Sequence, residues 1–125
     1  MNGVHYVLYY RHQELGEEVG QMRIGIVGGL DRVESLYGQL AEEAGHEAVF
    51  HDGHVGGRGT QALARLVDGC DVVVVVTDVN SHGAVQFARR RMRRRGRTPL
   101  LLRRFGPARF VTLLAALNVR EGIAV

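Results

Sequence analysis

Two short segments far apart in the chain carry side chains able to do chemistry: His51-Asp52-Gly53-His54 and Asp78-Val79-Asn80-Ser81-His82. Their imidazoles and carboxylates allow a metal reading. His51, His82 and His54 would form a mixed nitrogen and oxygen donor set with Asp52 or Asp78, and a divalent metal, zinc or iron, is the cofactor such a set takes. The His-x-x-His spacing spans Asp-Gly in a loop, so it has no fixed geometry. Ser81 beside His82 is not a catalytic pair by adjacency, because neighbours on a helix point different ways. Ser81 is first an N-cap. Asp78 invites comparison with a phospho-accepting aspartate, but the acidic pair needed earlier in the chain is replaced by Gly28-Gly29.

The same residues also allow an anion site. Gly28-Gly29 would let a ligand approach the backbone, helix N-termini offer free N–H groups, and Arg103 or Arg104 supplies a planar fork of donors. The stretch GIVGGLDR is neither a P-loop nor a dinucleotide fingerprint, since it has no suitably placed Lys and no third Gly. Asp31 would also oppose a phosphate there. The plainer account is a tight glycine turn, with Arg103 or Arg104 paired to Asp78.

These positions depend on the elements that hold them. RIGIVGG (23–29) reads as a short buried strand ending in two glycines, and Asp31 with Glu34 makes a capping box for the next helix. Val33, Leu36, Tyr37, Leu40 and Ala44 recur at helical spacing up to Gly45. HEAVF (46–50) is a second strand, followed by a loop and a helix capped by Thr60 and closed by Gly69. DVVVVVTD (71–78) is apolar on both faces, as in a central parallel strand covered on both sides. Ser81 caps a third helix with the stripe Ala84, Val85, Ala88 and Met92, ended by Gly96. TPLLLRRF (98–105) is a fourth strand. Pro107 opens a last helix along Phe110, Leu113, Leu114 and Leu117. The alternation predicts a three-layer α/β domain, Rossmann-like or flavodoxin-like, with a four-stranded parallel sheet in the order 2-1-3-4. Residues 1–22 stand outside the repeat as an N-terminal extension, an added edge strand or a dimer arm, and 23–125 form the single domain. Ligands of such sheets bind beyond the carboxyl ends of the strands, at the switch point. All four strand ends in this chain are polar or glycine-rich.

Composition narrows the setting. The chain has 125 residues, 46% apolar and 23% charged, enough for one domain. No apolar run approaches the roughly 20 residues of a membrane helix. The N-terminus lacks a basic region followed by an apolar block, so the cytoplasm is expected. Cys70 is alone and reads as a buried structural thiol. All 16 basic residues are Arg. Residues 1–88 hold 5 Arg and 12 acids, whereas residues 89–125 hold 11 Arg and 1 acid. This asymmetry points to an anionic partner or to pairing between subunits. In the run 88–97, Arg90, Arg94 and Arg97 lie away from the apolar stripe. With Arg89 and Arg93 they form a face that would hold nucleic-acid phosphates without reading bases.

RIGIVGG, HDGH, VVVVVTDVNSHGAVQFAR and PLLLRRFGPARF together resemble the bacterial family catalogued as domain of unknown function 2325 (DUF2325), over about residues 23–118. The family pattern of a Gly-Gly turn, a His-Asp-Gly segment and an Asp-x-x-Ser-His type segment matches Gly28-Gly29, His51-Asp52-Gly53 and Asp78 to His82. Some members carry Cys where this chain has Val79, so chemistry needing that thiol is not implied here. The resemblance implies a small α/β fold and supplies no activity.

The expectation is a non-catalytic ligand-binding or regulatory module, forming a homodimer and making no membrane contact. It would hold a small phosphate- or nucleotide-like anion through Gly28, Gly29, His51, Asp52, Asp78, Asn80, Ser81, His82, Arg103 and Arg104. The alternatives are a nucleic-acid-associated protein using Arg89, Arg90, Arg93, Arg94 and Arg97, and a metal-binding protein using His51, His54 and His82.

Overall fold

Five consecutive valines cannot leave a face for water, and the fold is built around them. The computed structural model describes residues 20–28, 34–78 and 82–124, the last five through their backbone. Strand β3, Val72–Val76, lies inside a four-stranded parallel sheet. β1 (Arg23–Val27) pairs with it on one side and with β2 (Glu47–His51) on the other. β4 (Leu100–Leu102) closes the order β2-β1-β3-β4. Helix α1 (Glu34–Glu43) follows β1, α2 (Gly59–Gly69) follows β2, α3 (His82–Arg93) follows β3 and α4 (Pro107–Ala124) follows β4. This is the expected α/β architecture and strand order. The edge strand or arm expected in the N-terminal extension lies, through residue 19, outside the described residues, as do Gly29, the Asp31 cap, Asn80 and Ser81.

Alternate residues of a strand point to opposite faces, so the valines divide. Val73 and Val75 join Leu63, Leu66 and Val67 of α2 and Ala84, Ala88 and Met92 of α3. Val74 and Val76 join Tyr37 and Ala41 of α1 and Phe110 and Leu114 of α4. Gly25 lets α2 close onto the sheet: a Cβ there would sit 2.5 Å from Leu66 Cδ2 and 3.0 Å from Cys70 Sγ.

Three local expectations need correction. Thr60 does not cap α2. The helix starts at Gly59 after Arg58, without a side-chain cap, and Thr60 Oγ1 donates instead to Val55 O at 2.9 Å. In α1, Leu36 is exposed and Ala41 is buried, because the sheet meets the Tyr37–Ala41 line. The fourth strand covers only Leu100–Leu102, although Thr77 N–H to Leu102 O and Asp78 N–H to Arg103 O continue its ladder past β3.

Candidate functional site at the carboxyl edge

β1 ends at Val27 and is followed by Gly28, whose φ of 84° suits a residue without a Cβ. Its N–H donates to His51 O at 2.7 Å, which ties the ends of β1 and β2 together. His51 then organises the loop that follows. Its Nδ1 accepts from Gly53 N–H at 2.9 Å, and its Nε2–H donates to Gly59 O, also at 2.9 Å. The side chain is only 7% exposed. Both ring nitrogens therefore serve the backbone, and His51 shapes the loop from inside. Asp52 accepts from His54 N–H at 2.8 Å, a local turn. His54 is exposed, and its ring lies over Gly56, where a Cβ would fall 2.9 Å from Nε2.

The loop meets α3. Val55 packs into the core layer shared by α2 and α3, and a Cβ on Gly83 would lie 3.3 Å from Val55 Cγ2. The His-Asp-Gly segment and the start of α3 are thus neighbours, with His82 exposed at the helix's first position.

Asp78, just beyond β3, is flanked by two guanidiniums. Arg103 Nε lies 3.5 Å from one carboxylate oxygen and Arg104 Nε 3.7 Å from the other. Both arginine side chains stay 84% exposed, against 36% for Asp78. The segment bearing them is anchored by Phe105, whose ring stacks on Tyr37 at 5.7 Å and meets Phe110 edge-on, also at 5.7 Å. Burial pushes the Tyr37 phenol above its ordinary pKa. Sequence reasoning missed this aromatic anchor, although Phe105 at the end of the predicted fourth strand, five residues before Phe110, was its signal.

Among the described residues no group of three or more His, Cys, Asp or Glu side chains could hold a metal ion. The donor set read for zinc or iron, His51, His54 and His82, does not assemble, because the backbone already occupies both His51 nitrogens. The arginine run divides as well. Arg91 makes a bidentate pair with Asp68, 2.7 Å on each arm, and Arg95 joins the same carboxylate. The hydrogen bond from Arg91 and the nearby Arg95 hold the Asp68 carboxyl below its ordinary pKa. Arg97 does not belong to an outward face. Its guanidinium donates to Val67 O, Cys70 O and Asp71 O at 3.2, 2.6 and 2.9 Å, at the end of α2.

The bacterial family described as "Uncharacterized protein conserved in bacteria (DUF2325)" matches residues 23–117. The chain belongs to the DUF2325 family. That span takes in every element from β1 into α4, and with them the whole carboxyl edge of the DUF2325 sheet. Two curated relatives, each named UPF0751 protein and from two strains of Desulfitobacterium hafniense, DCB-2 and Y51, are 28% identical over 95 residues. The alignment covers 75% of this DUF2325 chain and 93% of each relative. No solved structure matches the chain. No helix among the described residues is long and apolar enough to cross a membrane.

Proposed function

We propose that this DUF2325 domain is a non-catalytic module that holds a small phosphate-bearing ligand at the carboxyl edge of its sheet. The observation that carries this reading is the Arg103–Asp78–Arg104 group: two guanidiniums share one carboxylate, and both remain open to solvent. This group of three keeps one positive charge in excess, on side chains whose planar donors suit phosphate oxygens. Support also comes from the Gly28 turn and from the loop braced by His51, which stand at the same carboxyl edge of the sheet. His82, at the first position of α3, stands where helix N–H groups favour an anion. In this reading Asp78 keeps the two arginines in place while the site is empty, and a phosphate takes over the pairing when bound.

Thermal shift and isothermal titration against nucleotides and phosphorylated metabolites test the reading. At least one compound is expected to raise the melting temperature. The Arg103→Gln/Arg104→Gln pair should weaken its binding about tenfold or more, the worth of a lost charge-assisted contact. A panel without any response, or a response untouched by the double variant, removes the proposal.

A further inference from the structure

Away from the carboxyl edge, α3 presents a second surface. At 100° per residue, Arg89, Arg93, Arg90 and Arg94 span an arc of about 140°, centred opposite the buried Ala84, Ala88 and Met92. Arg94 N–H still bonds Arg90 O at 3.2 Å, so the helical turn extends through it. All four side chains are exposed, and none is in an ion pair among the described residues. The contrast with their neighbours is sharp: Arg91 and Arg95 share the Asp68 carboxylate, and Arg97 is tied up by backbone carbonyls. Four cations within two turns, with no acid paired to them among the described residues, repel one another, so an external anion gains by joining them. Beside two of them lies a hollow of about 260 Å³ lined by Phe87, Arg90, Arg91 and Arg94. The Arg91 guanidinium sits 5.9 Å from the Phe87 ring centre, while Arg90 and Arg94 are exposed.

We propose that this outer face of α3 docks the phosphodiester backbone of double-stranded nucleic acid, with one phosphate seated in the hollow between Arg90 and Arg94. A duplex fits better than a single strand because Phe87 is the one aromatic lining the hollow and is already stacked by Arg91. Stacking of unpaired bases needs free rings. Side chains that offer only guanidiniums to phosphates give binding without base readout. The surface is independent of the ligand site proposed above.

Fluorescence anisotropy of a labelled random-sequence duplex of about 20 base pairs, titrated at several salt concentrations, tests the proposal. With about −0.9 per neutralised phosphate, log K against log salt should fall with a slope of about −3 to −4, roughly a hundredfold between 50 and 200 mM. Arg90→Gln/Arg94→Gln should halve that slope, and Arg89→Gln/Arg93→Gln should do the same. Arg103→Gln/Arg104→Gln should leave affinity within about twofold. All three pairs are exposed, so each variant should melt with the wild type. Absence of binding at about 50 mM salt overturns the proposal. So does binding that survives both α3 variants, equal loss in the Arg103/Arg104 variant, or capture by anionic lipid vesicles with none by the duplex.

Discussion

A histidine whose two ring nitrogens both face the main chain behaves as a bracket. In His51→Ala, Gly53 N–H and Gly59 C=O would lose their hydrogen bonds to the ring, and we expect a loss of about 2 kcal/mol in urea unfolding, with ligand binding at the carboxyl edge weakened alongside. His54→Ala, exposed and local, should stay within about 0.5 kcal/mol. The sequence sets His51 apart from His54 only by its place at the end of the second strand, because the partners of His51 are backbone atoms that any residue carries. Cys70 is the opposite case. A lone cysteine before an apolar run already reads as buried, and burial pushes its thiol from 9.0 up to about 11. Native protein should therefore resist alkylation at pH 8, while unfolded protein reacts at once. The unfolded chain gives up that proton first, so stability should decline as pH rises from about 9 to 11. A native thiol that reacts at the unfolded rate would contradict the packing around Leu66 and Gly25.

Among elements, β3 was the most legible because valine favours extended backbone and the run was apolar on both faces. The order of the strands followed from right-handed crossovers alone. Boundaries fared worse where tertiary partners decide them. Thr60 resembles an N-cap, yet a Cβ at Gly59 would overlap the His54 carbonyl oxygen, and the close loop places the cap at Arg58, two residues earlier. The arginine run was legible as charge but not as roles, since α2's carbonyls and Asp68 come from another part of the chain. Two substitutions separate those roles. Arg97→Ala strips donors from three carbonyls at the end of α2 and should cost about 1.5–3 kcal/mol, whereas Arg94→Ala should change stability by no more than about 0.5 kcal/mol. Equal effects in thermal melts would show that the division of the run is wrong.

At the scale of the whole molecule, the two ends of the sheet differ. The amino edge is fastened by a buried polar chain: Met22 N–H donates to His46 Nδ1 at 3.0 Å, His46 Nε2–H to Asn118 Oδ1 at 2.6 Å, and Asn118 Nδ2 to Ala44 O at 3.0 Å. It joins β1, the turn before β2 and α4, elements that sequence patterns treat separately, which is why neither His46 nor Asn118 stood out. Asn118→Leu removes the His46 acceptor and should destabilise by about 1–3 kcal/mol, with anion binding at the far edge unchanged in titration. The carboxyl edge carries the glycine turn, the braced loop and the open arginines. Helix α3 runs from one end to the other, about 18 Å at 1.5 Å per residue. Its first residue stands beside the proposed ligand and its later turns bear the proposed duplex contacts, so both occupants would grip one stiff rod. A tilt imposed at its head would be a displacement at its tail, and by thermodynamic reciprocity each guest would then report on the other.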